Sequence, residues 1–251
     1  MPSVLEIILL IITGFIAGIA NVMAGGGSML TFPLLIFLGL PPNVANGTNR
    51  VAILIQNIFS NAGFKSKGVS TFPFNFYLAG SALIGSLIGA QLAIDIKGEI
   101  FNKILAIILL ITVTTLVFKP TYNLENFQER IIGKHLVLST IVFFFIGIYG
   151  GFIQVGVGFI ILWALSQINH LDLIKSNAVK VFVVFIYTIA SVAIFAYNDK
   201  INWSYGLILA IGNGVGGWFG SRWSVEKGEG LIKTILIIAV IAISLKLWFY
   251  Q

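Results

Sequence analysis

Ala24-Gly25-Gly26-Gly27-Ser28 (AGGGS) interrupts one long apolar run, and Gly156-Val157-Gly158 interrupts another at the matching place in the second half of the chain. In a bilayer, unwound backbone is tolerated only where protein or a water-filled cavity supplies partners for its N–H and C=O groups. Paired breaks in corresponding halves point to the binding site of a secondary transporter.

Around the breaks, the 251 residues are 58% hydrophobic and 10% charged, against about 25% charged in soluble domains. A deficit spread over the whole chain marks a polytopic membrane protein. Eight apolar stretches approach the ~20 residues that a span needs: 4–22, 51–64, 74–94, 100–118, 136–153, 179–197, 203–219 and 231–250. Uncharged polar flanks extend the shorter ones. Two shorter segments, 29–38 and 159–165, follow the breaks. At ~1.5 Å per residue they reach at most half-way across the bilayer, as half-helices starting near its middle would. The expected fold is all-α, with eight long transmembrane helices and two short half-helices.

The halves repeat. Gly14 and Gly18 match Gly147 and Gly151; Arg50-Val51 matches Lys180-Val181; Gly85 and Gly89 match Gly216 and Gly220; Phe72 matches Trp203. The offsets are 133, 130, 131 and 131. This divides the chain into a first transmembrane repeat (1–118), a polar linker (119–134) and a second repeat (135–251).

Orientation follows from cytoplasmic enrichment of Lys and Arg. With five passes per half, each short segment counting as one, Lys65, Lys67, Lys119, Arg130, Lys134, Lys175, Arg222, Lys227 and Lys233 share one side. With Arg50 and Lys180 set aside because they lie within helix starts, only Lys97, Lys103, Lys200 and Lys246 share the other. Four passes per half leave no bias. An odd number makes the halves inverted repeats, with a cytoplasmic linker and both termini outside. Residues 1–22 hold Glu6 and no Lys or Arg, so they lack the basic start of a signal peptide. The expected location is the inner (plasma) membrane, crossed many times, N-terminus outside.

A helix starting at Gly27-Ser28 presents free N–H groups and a positive dipole end. Ser28 is a candidate cap, and glycines allow close approach. This geometry favours an anion. Gln154-Val155-Gly156-Val157-Gly158 offers the same geometry with fewer polar groups. The competing reading is that these glycines serve kinks or close packing. Asn46, Asn49, Arg50, Asn57, Ser60 and Asn61 recur with helical period on one broad face, mirrored by Ser176, Asn177, Lys180, Tyr187, Thr188 and Ser191. Ionisable residues inside spans are functional candidates by default; the alternative for Arg50 and Lys180 is snorkelling. Gly85, Gly89, Gly212, Gly216 and Gly220 read as close-packing faces, and Trp163 as a candidate pathway residue. There is no cysteine. His135 and His170 fall at expected helix ends, where they read as interfacial, so the sequence calls for no metal and no cofactor.

Residues 14–63 (GFIAGIANVMAGGGSMLTFPLLIFLGLPPNVANGTNRVAILIQNIFSNAG), with Ile146-Gly147-Ile148-Tyr149-Gly150-Gly151-Phe152 and 171–181 (LDLIKSNAVKV), resemble the sulfite exporter TauE/SafE family. The resemblance implies a carrier, usually an exporter, of sulfur-containing anions such as sulfite, sulfoacetate and related organosulfonates. It also implies that Gly25, Gly26, Gly27, Ser28, Asn46, Thr48, Asn49 and Arg50 lie along the anion path. In the second half Phe159 and Ile161 replace the small residues of that pattern, against two equal sites. The expected substrate-binding set adds Asn57, Gln154, Gly156, Gly158, Asn177 and Lys180. Arg50 and the helix start at Ser28 would hold the charged head, and Asn46, Thr48, Asn49 and Asn57 would donate further bonds. An anion-selective channel is the alternative. A membrane enzyme is disfavoured, because no mid-span carboxylate pair supplies acid–base chemistry. Expected partners are a small anion, the bilayer and a second copy in a homodimer, with no nucleic acid.

Overall fold

The computed structural model describes residues 2–94, 96, 100, 103–105, 107–108 and 128–227. The expected span at 231–250, and most of that at 100–118, lie outside the described residues. Eight helices are described: α1 (Val4–Ala24), α2 (Ser28–Phe37), α3 (Pro42–Ser66), α4 (Phe74–Ile94), α5 (Gly133–Phe152), α6 (Val157–Asn169), α7 (Leu173–Tyr197) and α8 (Trp203–Lys227). No strand occurs among the described residues.

α1 opens with a reciprocal cap. The Glu6 N–H donates to Ser3 Oγ at 3.3 Å, and the Ser3 N–H donates to the Glu6 carboxylate at 2.7 Å. Its exposed large residues Leu5, Ile8, Leu9, Ile12, Phe15 and Ile16 recur every three or four positions, the apolar stripe that a lipid-facing helix presents. Four helices, α1, α4, α5 and α7, are both long and apolar enough to cross a bilayer. α3 and α8 have 25 residues each but more polar sequences. In α3 the polarity is turned inward, where Asn46, Thr48, Asn49, Arg50, Gln56, Asn57 and Ser60 are all buried. α3 begins at Pro42 and α7 at Leu173, six to nine residues before the apolar cores that start at Val51 and Val179. Arg50 and Lys180 therefore sit two turns inside their helices.

The halves do not form separate lobes. α8 lies alongside α1, with Gly212 against Ile11, Gly216 against Phe15 and Gly220 against Ile19. It lies alongside α3 as well, with Gly206 near Thr48 and Gly217 near Gln56. These three helices run the same way. α4 lies alongside α5, with Gly85 at Phe144 and Gly89 at Ile148. α4 also follows α7, as the Phe76–Phe182 ring pair at 5.1 Å and the Ser86 Oγ–Tyr187 carbonyl bond at 3.2 Å show. The two triplets meet where α3 and α7 pack antiparallel. Asn61 reaches the Val181 carbonyl at one end of that seam, and Arg50 stacks on Phe195 at the other, 4.8 Å from the ring centroid.

α2 and α6 turn back along the helices they follow. Leu40, just past α2, shares a core cluster with Leu10 of α1. Asn169, the last residue of α6, accepts from Ser139 in the first turns of α5 at 2.9 Å. Each break is thus the tip of a hairpin of one long and one short helix.

The close-packing glycines fit their expected role, but the register of the last matched pair needs correction. Gly85 abuts the Phe144 carbonyl and Ile148 amide; Gly212 abuts the Ile11 carbonyl and Phe15 amide. Gly147 meets Ala82, and Gly14 meets Leu209. Gly212, not Gly216, therefore stands where Gly85 does, at an offset of 127 and not 131.

Candidate functional site

The two hairpin tips touch. A Cβ on Gly25 would come within 2.7 Å of the Gly158 backbone, and one on Gly158 within 2.4 Å of Gly25. Gly25 has φ +86° and Gly156 has φ +73°, left-handed values that glycine adopts at little cost. Gln154 has φ +60° without being glycine, a local strain of the kind found at functional sites.

Each tip holds a helix C-terminus and a helix N-terminus, and the two kinds of end are treated differently. The C-terminal carbonyls are capped from across the molecule. Arg50 of α3 donates to the Gly150 carbonyl at 2.9 Å and the Gly151 carbonyl at 2.6 Å, and Asn46 donates to the Phe152 carbonyl at 2.8 Å. Lys180 of α7 donates to the Asn21 carbonyl at 2.9 Å and the Val22 carbonyl at 2.8 Å, and Asn177 reaches the Met23 carbonyl at 3.4 Å. Cations and amides thereby satisfy carbonyls that a helix end leaves open. Among the described residues the N-terminal ends carry no such cover. Neither Gly27 ahead of α2 nor Gly156 ahead of α6 makes a side-chain capping bond. Ser28, the expected cap, is instead the first residue of α2.

Between the tips lies a small cavity of about 10 Å³, lined by Asn21, Ser28, Gln56, Asn57, Gln154, Val157, Gly158, Lys180, Val181 and Val184. Gln56 Nε2, Asn57 Nδ2 and Gln154 Oε1 are buried there without a partner. Buried polar groups are almost always satisfied, and three such atoms belong to residues lining one small cavity, which makes it the candidate binding site. Asn21 donates to Gln56 Oε1 at 3.1 Å, which turns the Gln56 NH₂ group away from the helix that holds it. The cavity lining is donor-rich, with two carboxamide NH₂ groups and two helix starts; the Lys180 ammonium borders it as a positive charge whose N–H groups go to the Asn21 and Val22 carbonyls and, at 2.6 Å, to Asn177 Oδ1.

Of the residues expected to bind substrate, the cavity gathers Ser28, Asn57, Gln154, Gly158 and Lys180. Gly25, Gly26, Gly27 and Gly156 shape the tips. The others face protein partners. Asn49 Oδ1 accepts from Thr31 at 2.7 Å, and Thr48 Oγ1 accepts from the Asn202 amide at 2.8 Å. Asn46, Asn177 and Arg50 cap helix ends. The role of Arg50 as holder of the substrate head is therefore corrected: the guanidinium is fully buried against backbone carbonyls and does not line the cavity. Trp163, 57% exposed, faces outward and not into a pathway. Two polar lining residues, Asn21 and Gln56, were not in the expected set. Asn21 is a lone amide in the apolar α1, and Gln56 sits beside Asn57; both types are rare enough in a span to have been a signal.

The sequence profile of the sulfite exporter TauE/SafE family matches residues 10–247. A probable membrane transporter protein of Haemophilus influenzae is 27% identical over 243 residues, covering 97% of this chain and 94% of its own. One from Sinorhizobium, ORF9, is 26% identical, with 95% and 90% covered. YfcA of Escherichia coli K12, also described as a probable membrane transporter protein, is 26% identical, with 99% and 92% covered. No solved structure matches the chain.

Proposed function

The chain belongs to the sulfite exporter TauE/SafE family of membrane transporters, and from that premise we propose that it is a multi-pass inner-membrane carrier, N-terminus outside, that exports a small sulfur-containing anion such as sulfite or an organosulfonate. One observation carries the reading. Unpartnered buried donors on Gln56 and Asn57 share a cavity with Lys180 and with two helix starts that no side chain caps. Sulfonate and sulfite oxygens accept hydrogen bonds, and charge-assisted bonds to them are the strong ones.

The halves are read as inverted repeats. α1, α3 and α8 run against α4, α5 and α7, so every matched pair (α1 with α5, α3 with α7, α4 with α8) is antiparallel. The bodies that move are then these two triplets and not the two halves of the sequence. Alternating access takes place as they rock about the α3–α7 seam, and the Gly25–Gly158 contact opens to one side or the other.

The test is binding and flux in proteoliposomes for Lys180→Met and Asn57→Leu, with hydrogen sulfite and ethanesulfonate as probes. Both variants should lose affinity by roughly tenfold or more. Wild-type affinity and wild-type flux in both would remove the cavity from the transport path.

A further inference from the structure

We propose that Lys180 is an exchangeable latch: the anion binds by taking its ammonium from the α1 carbonyls, and the site opens first at the Asn61–Val181 end of the α3–α7 seam. The proposal rests on the anion reading above. A cavity of about 10 Å³ holds no more than a water molecule, so a sulfur oxyanion enters only as the tips part. Lys180 borders that cavity. Its three N–H groups are engaged by the Asn21 carbonyl at 2.9 Å, the Val22 carbonyl at 2.8 Å and Asn177 Oδ1 at 2.6 Å. An anion that reaches the ammonium must displace an acceptor. Asn177 belongs to α7 with Lys180, whereas the carbonyls belong to α1 in the other triplet. Exchanging the carbonyls for an anion therefore unties the triplets from each other. The exchange replaces neutral acceptors by a charged one, and hydrogen bonds between two ions are the stronger kind.

Which end of the seam yields is set by what each carbonyl keeps. The Asn21 carbonyl also accepts from the Gly25 amide at 2.9 Å, so it retains a partner when Lys180 leaves. The supporting bonds of Asn177, to the Met23 carbonyl at 3.4 Å and Ser224 Oγ at 3.3 Å, are long and weak. The other end is held more firmly. Among the described residues Arg50 alone meets the Gly150 and Gly151 carbonyls, because the nearby Gln154 and Val155 amides go to Tyr149 and Ile153. Asn46 grips the Phe152 carbonyl at 2.8 Å. Parting α3 from the α5 tip would strand two carbonyls, at the full cost of unmet buried groups. Parting α7 from the α1 tip leaves the Val22 carbonyl to be met by entering water. Lys180 immediately precedes Val181, whose carbonyl Asn61 reaches, which places the yielding tie at that end.

The experiment follows amide hydrogen exchange of the purified full chain in detergent, with and without ethanesulfonate, while titration calorimetry reads binding itself. On binding, the amides of residues 22–25 at the end of α1 should exchange faster by about threefold or more, and those of residues 150–155 at the end of α5 should stay within about twofold. Lys180→Met should exchange fast at residues 22–25 without ligand, and ethanesulfonate should add nothing. Unchanged or slower exchange at residues 22–25 on binding to wild type, or faster exchange at residues 150–155, would overturn the latch while the anion reading stands. So would slow, wild-type exchange at residues 22–25 in folded Lys180→Met. If that variant does not fold, the wild-type pattern decides alone. Absence of calorimetric binding by both ethanesulfonate and hydrogen sulfite would remove the anion reading and the latch together.

Discussion

Arg50 and Lys180 occupy matching places in α3 and α7, and each reaches across the molecule to the carbonyl end of a broken helix. They differ in what lies on their other side. Arg50 stacks on Phe195 and is enclosed by protein. Lys180 keeps α1 carbonyls on one flank and the cavity on the other. One device thus stands in two settings, a tie enclosed by protein at the α5 end and a tie that borders the cavity at the α1 end. The sequence offset of 133 maps Gly150 and Gly151, held by Arg50, onto Ala17 and Gly18. Lys180 holds Asn21 and Val22, one helical turn further along. The two ties are therefore not superposable copies.

The sharpest way to break this contrast is Arg50→Met. It strands the Gly150 and Gly151 carbonyls in a dry setting, and at about 1–3 kcal/mol for each unsatisfied group the fold should lose on the order of 3 kcal/mol or more. Thermal unfolding in detergent would show it; an unchanged midpoint would mean that Arg50 is no tie at all. Lys180→Met should come second in stability loss, because water in the adjoining cavity can reach the freed carbonyls, and first in loss of anion binding. If the two variants lose stability and binding in the same proportion, the distinction drawn between them is wrong.

Gly158→Ala drives a methyl to within 2.4 Å of the Gly25 backbone. The hairpin tips should be wedged apart at a cost of about 1–3 kcal/mol, with transport reduced more than binding. Thr31→Val removes the bond to Asn49 and should cost about 1 kcal/mol without altering affinity. That result would confirm Asn49 as scaffold and not ligand. The smallest effect is expected of Trp163→Ala, which should leave flux within twofold because the ring faces outward.

Much of this was legible in residues alone. The breaks at Gly25-Gly26-Gly27 and Gly156-Val157-Gly158 could be read because glycines this close together weaken a helix, whereas glycines four residues apart make a packing face. The inward polar face of α3 could be read because its period is helical. What a side chain touches could not be read. Arg50 and Lys180 are long enough to reach a cavity or a neighbouring helix end, and nothing in the linear order says which. The register of α4 against α8 was degenerate for a plainer reason: Gly212, Gly216 and Gly220 repeat every four residues, so an alignment slipped by one turn looks as good until the partner helix is known. The pairing of Asn21 with Gln56 joins two helices whose adjacency is a tertiary fact.

The pairing of α1 with α8 has a consequence for biosynthesis. Helix α1 meets α8 only after some two hundred residues have followed it. Until then its glycine-notched flank faces lipid, or whatever insertion machinery shelters it. A chain truncated before Trp203 should therefore leave the opening helix without its mate and be cleared by membrane proteases, however sound its own first half.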